Sequence, residues 1–296
     1  MRRRTFLGLG SLLLAPAWAG ASTRTRFSRG VLWRVTYRDK PANYVFGTIH
    51  VADPRLATLP APVVRALEPA RSLTLEFTAD GYTRQRFLEA AMLPQGQSLD
   101  GLIGARDFER VVECMAPAGL PRDFVRRLKP WAVLINLRNP RGAQPGAGPT
   151  LDAQLLERAS ARRLPLYTME TVEEQIFTFD EFPMDSQLAL LRDALAHQSE
   201  LIAMSQRTLD AYLARDLDGI WRVQAAYVKR HPEIAVHNAV FVKRVIYDRS
   251  VVMAYRMQRA LRSGNAFIAI GALHLQGAKG VLALLEADGF RMRRIF

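Results

Sequence analysis

The chain has 296 residues, 49% of them apolar and 23% charged, a balance that excludes wholesale disorder and suits a packed globular fold. Lys and Arg total 41 against 28 Asp and Glu, a formal net charge of +13, and only five of the cations are Lys. The single cysteine, Cys114, excludes an intramolecular disulfide framework and any metal site built on several cysteines.

Residues 1–21 read as a signal peptide. Arg2, Arg3 and Arg4 form a basic start, an apolar stretch runs from Phe6 to about Ala17, and small residues at Ala17, Ala19 and Ala21 offer cleavage sites. The stretch is shorter than the ~20 residues a bilayer span needs. Arg3-Arg4-Thr5-Phe6-Leu7 resembles the twin-arginine export signal. The expectation is a soluble, exported, periplasmic protein with no membrane span once the signal is removed.

Residues 30–37 alternate as a strand, Asp39-Lys40-Pro41 is a turn, and Tyr44 to Phe46 completes a hairpin. A short helix at 60–68 leads to a strand at 72–77. Helices are predicted at 82–94, 105–118 and 130–138, then a Gly/Pro loop at 142–149 that lacks the features of a phosphate cradle. A helix at 151–162 precedes a strand at 164–169. Residues 185–262 read as nearly unbroken helix, interrupted near Asp216 to Asp218 and at His231-Pro232. A buried strand at 266–270, a helix at 281–287 and a strand at 290–295 close the chain.

Two segments repeat one another. Tyr44-Val45-Phe46-Gly47-Thr48-Ile49-His50 and Phe267-Ile268-Ala269-Ile270-Gly271-Ala272-Leu273-His274 are each strand, Gly-x-x-His, helix, strand. A pseudo-two-fold arrangement would bring the two strand ends together, where open α/β sheets hold ligands. Two neutral imidazoles and a carboxylate make a partial metal shell with positions left for water. Glu76, in an apolar strand, needs a partner if it is buried, and completes the set. Glu170, directly after the strand at 164–169, is the candidate general base. The other reading of each histidine is a hydrogen-bonded structural residue. Glu173 and Glu174 read as first-turn helix charges, His197 as a surface residue, and Cys114 as a core thiol. His231 and His237 are either a ligand pair or part of a solvated loop. No Gly-x-Ser-x-Gly, His-Glu-x-x-His, P-loop or dinucleotide fingerprint occurs.

Taken in order, these pieces resemble the TraB/GumN family, which is related to the Tiki metalloproteases and more distantly to the erythromycin esterase/ChaN-like group. The resemblance covers about 30–296. It is carried by Gly47-Thr48-Ile49-His50, Leu75-Glu76, Lys129-Pro130-Trp131, Leu151-Asp152, Met169-Glu170-Thr171 with Glu174-Gln175, Leu190-Leu191-Arg192-Asp193, Ala211-Tyr212, and Gly271 to Leu275 with Gly277 and Gly280. It implies a single domain over 22–296: a mixed α/β core with a mixed central sheet and a helical insertion at about 185–262. It also implies a divalent-metal site on His50, Glu76 and His274, taking manganese, cobalt or zinc, and a metal-dependent hydrolase acting on a peptide or small-molecule substrate. The family's usual Arg-Asn pair falls at Arg249-Ser250, so Ser stands where Asn is usual. Arg249 is the candidate contact to a substrate carboxylate or tetrahedral intermediate. Two other functions compete: a non-catalytic binding protein that kept the fold, favoured by Ser250, and a basic surface binder of anionic polymers. The scattered Arg residues form no dense run beyond Arg291 to Arg294, so no nucleic-acid partner is expected.

Overall fold

The computed structural model describes residues 26–78, 80–138 and 148–296. The expected signal peptide and most of the Gly/Pro loop lie outside the described residues. The fold is mixed α/β. Among the described residues, one sheet contains β1 (Leu32–Thr36), β2 (Asn43–Thr48), β3 (Ser72–Leu75), β4 (Leu166–Thr168), β5 (Ala266–Gly271) and β6 (Arg291–Arg294). Their order is β4-β3-β5-β2-β1-β6. The four strands β4, β3, β5 and β2 are parallel, while β1 runs antiparallel to both β2 and β6.

The expected hairpin is β1–β2, with Leu32 opposite Phe46 and Val35 opposite Asn43. Every residue of β5 from Ala266 to Ile270 is buried, because a parallel strand covered on both faces has no water side. This late strand lies between β2 and β3. Asn43 anchors it there: its Nδ2 donates to the Leu261 carbonyl at 2.8 Å, and its Oδ1 accepts from the Ala266 amide at 2.9 Å. The two Gly-x-x-His turns interlock. A Cβ on Gly47 would stand 2.5 Å from Leu275 Cδ1 and 3.1 Å from Ala272 Cα, so only glycine fits. In topology, the two-fold between β2 and β5 fails at the outer strands. It would set β6 beside β2 as β3 lies beside β5, but β1 takes that place and β6 moves one position outward.

The helices are α1 (Ala61–Leu67), α2 (Gly81–Ala90), α3 (Leu99–Ile103), α4 (Ala105–Met115), α5 (Arg122–Arg126), α6 (Pro130–Arg138) and α7 (Leu151–Ala161). They continue as α8 (Val172–Asp180), α9 (Met184–Ala196), α10 (Gln198–Leu213), α11 (Leu217–Arg230), α12 (Ala235–Val242), α13 (Arg249–Ser263) and α14 (Val281–Ala287). One apolar core joins the sheet to α1, α7, α13 and α14. A second core, around Trp131, Leu191 and Tyr227, is built mainly from helices, and α10 and α11 contribute to both. Short α3 to α5 join it as well, because each carries an apolar face that has no sheet to cover. The expected breaks near 216 and 231 are present. A third falls at His197, whose backbone (φ −121, ψ 31) leaves the helical region between α9 and α10. Thr171 and Glu174 form a capping box that starts α8, which accounts for Glu174 in its first turn.

Candidate metal centre

The parallel strands deliver their carboxyl ends to one place, as α/β sheets do for ligands. His50 stands two residues past β2, Glu76 directly after β3, Glu170 two past β4, and His274 three past Gly271 at the end of β5. β3 and β4 stop sooner than the apolar pattern suggests, but their pairing runs on through two more bonds. The Met169 amide donates to the Leu75 carbonyl and the Glu170 amide to the Glu76 carbonyl, both at 2.9 Å, which sets the two glutamates side by side. From the opposite side, α13 presents Arg249 and Ser250. The six residues before it, Lys243–Asp248, wind as a π-helix, a form frequent at functional sites.

The three expected ligands surround Gly271. A Cβ built there would lie 3.2 Å from Glu76 Oε1, 3.4 Å from His274 Cδ2 and 3.8 Å from His50 Nε2. The Gly271 amide donates to Glu76 Oε1. His274 Nε2 and Glu76 Oε1 are 3.8 Å apart, too far for a good hydrogen bond and close to the ~3.3 Å between ligand atoms in a tetrahedral shell.

Both imidazoles turn Nε2 inward, because Nδ1 is engaged elsewhere. His50 Nδ1 donates to Asp152 Oδ2 at 3.1 Å, while Asp152 Oδ1 accepts from the Thr48 hydroxyl at 3.0 Å. Ser250 Oγ donates its one proton to the Ile246 carbonyl at 2.7 Å. Its contact with His274 Nδ1 at 2.9 Å therefore requires the ring to donate, leaving Nε2 with a free lone pair. A carboxylate or hydroxyl behind a ligand histidine is a common way to fix its tautomer. Asp152→Asn should keep this geometry but make His50 a weaker donor, lowering metal affinity by about 10- to 100-fold in a calorimetric titration.

Burial pushes His274 down to about 4, so it is neutral at pH 7. Burial also works against a charge on His50, but the Asp152 hydrogen bond and the Asp152 and Glu76 charges outweigh it and raise His50 to about 9. His50 stands at the mouth of the site, its side chain 58% exposed, with protein crowding the other sides. A cation bound at Nε2 would therefore displace a proton. Burial opposes the charge on Glu76 as well, yet the neighbouring His274 in its protonated form, Arg249, His50 and the Gly271 amide hold its pKa below the usual range.

Arg249 bridges both glutamates. Its Nη2 reaches Glu76 Oε2 at 2.8 Å and Glu170 Oε2 at 2.6 Å, and its Nε donates to Glu170 Oε1 at 2.8 Å. Gln175 Nε2 also donates to Glu170 Oε2, at 2.6 Å. A cleft of ≈ 630 Å³ opens on one side of this bridge, lined by His50, Glu76, Arg84, Asp152 and Phe179. A second hollow of ≈ 490 Å³ lies beyond it, against Phe177, Val252 and Arg256.

The donor set of two Nε2-facing imidazoles and one charged carboxylate fits a divalent ion. A tighter cluster also exists. Asp193, His197 and His231 bring three ligand atoms within 4.8 Å of one another, so neither histidine is the solvated residue that its sequence context suggests. His237 is not part of it and meets the Ser186 hydroxyl instead.

The TraB/PrgY/gumN family model matches residues 31–294. The chain belongs to this family. It is 25% identical over 309 residues to Metalloprotease TIKI2 of Xenopus tropicalis, across 88% of this chain and 59% of that protein. It is 25% identical over 249 residues to Uncharacterized protein YbaP of Escherichia coli (strain K12), across 82% of this chain and 87% of that one. It is 24% identical over 337 residues to Metalloprotease TIKI1 of Homo sapiens, across 96% of this chain and 66% of that protein. The chain thus spans less than two thirds of the length of the Tiki relatives. No solved structure gives a significant match. Among the described residues, no helix is long and apolar enough to cross a membrane.

Proposed function

We propose that this TraB/PrgY/gumN protein is a metal-dependent hydrolase of peptide or amide bonds, exported to the periplasm through its twin-arginine-like leader. The observation that carries the reading is the convergence of His50 Nε2, Glu76 Oε1 and His274 around Gly271. The relatives named metalloproteases support it. His50, Glu76 and His274 would hold the ion, and the mixed nitrogen and oxygen donors suit manganese, cobalt or zinc. When bound, such an ion polarises a carbonyl and lowers the pKa of water toward neutrality.

The chain's own residues do the rest. Asp152 and Ser250 keep the two imidazoles turned inward. Arg249 offers a permanent cation beside the site, suited to charge developing on a substrate oxygen. Glu170 has both oxygens engaged by Arg249 and Gln175. It becomes a proton acceptor only as Arg249 turns toward substrate. Phe179, Leu75 and Leu156 give the cleft an apolar part of its wall, against which a substrate side chain can rest.

The test is turnover of a peptide library by metal-loaded protein, with mass-spectrometric metal analysis alongside. His50→Ala and His274→Ala should each lose the ion at this centre and reduce cleavage by at least about 100-fold. Cleavage that survives chelation, or metal content unchanged in both variants, would refute the reading.

A further inference from the structure

Away from the β-strand centre, in the second, mainly helical core, two histidines meet where helices break. His197 separates α9 from α10, and His231 ends α11; neither has helical backbone angles. Their rings lie 4.0 Å apart, tilted by 39°. Asp193 stands one turn before His197 and is almost wholly buried. One of its oxygens contacts His197 Nδ1 at 2.9 Å, and the other accepts from the buried Tyr227 hydroxyl at 2.7 Å. His231 has an acidic group at each ring nitrogen: Glu200 Oε2 is 3.3 Å from Nε2, and Glu233 Oε1 is 3.5 Å from Nδ1. Three carboxylates thus surround two imidazoles. The facing cations are Arg230, paired with Glu200 at 3.0 Å, and Arg138, whose charge acts on Asp193 from a distance.

We propose that Asp193, His197 and His231 form a second divalent-cation site, of the zinc or cobalt class, that staples the α9–α10 corner to the end of α11. One dication bound by both rings balances the carboxylates gathered around them. The ligand atoms already lie within 4.8 Å of one another, and a filled tetrahedral shell needs about 3.3 Å. Small side-chain rotations cover the difference. The role is structural: both corners carry residues of the helical core, with Leu195 and Leu201 beside one and Tyr227 and Ile234 beside the other. The site does not depend on the reading of the β-strand centre.

The test titrates the metal-stripped full chain with Co²⁺ alone. Visible absorption, bound metal per chain and thermal unfolding are the readouts. In a His50→Ala/His274→Ala background the chain should still bind cobalt with tetrahedral absorption and unfold at a higher temperature when loaded. Adding His197→Gln and His231→Gln should remove both signals. Glu200→Gln, a change at a half-exposed residue that leaves the core untouched, should weaken cobalt binding by about tenfold. If the His50→Ala/His274→Ala chain is folded by circular dichroism but binds no cobalt, the proposal fails. It fails equally if His197→Gln/His231→Gln or Glu200→Gln binds as tightly as its parent.

Discussion

Gly271→Ala should cost the β-strand centre its metal while leaving the protein folded. Gly271 has φ −57 and ψ 136, which alanine adopts without strain, and the loss of backbone freedom in the unfolded chain favours alanine by about 0.4–1 kcal/mol. The added methyl points into the space shared by the ligands, 3.2 Å from Glu76 Oε1 and 3.8 Å from His50 Nε2. It fills the volume an ion would take and presses on the carboxylate that the Gly271 amide holds. Calorimetric titration with Mn²⁺ or Co²⁺ should show affinity at this centre reduced by at least about 100-fold. Thermal unfolding should stay within about 1 kcal/mol of the parent. Unchanged affinity would overturn the placement of the ion against Gly271.

Arg249→Met should destabilise the protein by about 3–5 kcal/mol in urea unfolding. The side chains of Arg249, Glu76 and Glu170 are only 12%, 8% and 5% exposed. Removing the cation leaves two largely buried carboxylates facing one another without the partner that balances them. The double variant Arg249→Met/Glu170→Gln should recover part of that loss, because the unpaired charge is removed with its partner. A coupling of about 0.5–3 kcal/mol is expected for groups in one network. A loss below about 1 kcal/mol for Arg249→Met would show that the site is hydrated and that the bridge is incidental.

Much of this arrangement is legible in the sequence, for reasons that particular residues make plain. The Gly-x-x-His turns are recognisable because each follows a run of buried apolar residues, and β2 and β5 prove to be parallel neighbours. Glu76 and Glu170 stand out as acids at the ends of apolar strands. Asp152 is a different matter. It lies 102 residues from His50 and nothing local marks it as the partner of that ring. Ser250 reads as a departure from a family pattern, yet its hydroxyl supplies the acceptor that His274 needs. The engagement of both Glu170 oxygens is equally hidden, since Arg249 lies 79 residues away. His197 and His231 look like surface residues because polar neighbours surround them in sequence. Only the folding of three helices onto one another brings their rings together.

The placement of β5 has a consequence for how the chain reaches this state. β2 and β3 are made early, but they never pair with each other; the strand between them arrives about 190 residues later. The Glu76 to Gly271 bond spans 195 residues. Loop closure of that length makes sheet completion slow, and until it happens two apolar strand edges stand open to pairing with other chains. A nascent chain stopped short of Ala266 would carry those edges permanently. Shielding them during synthesis is then a requirement of the topology itself, and the last 31 residues, from Ala266 on, decide whether the product is a folded protein or an aggregate.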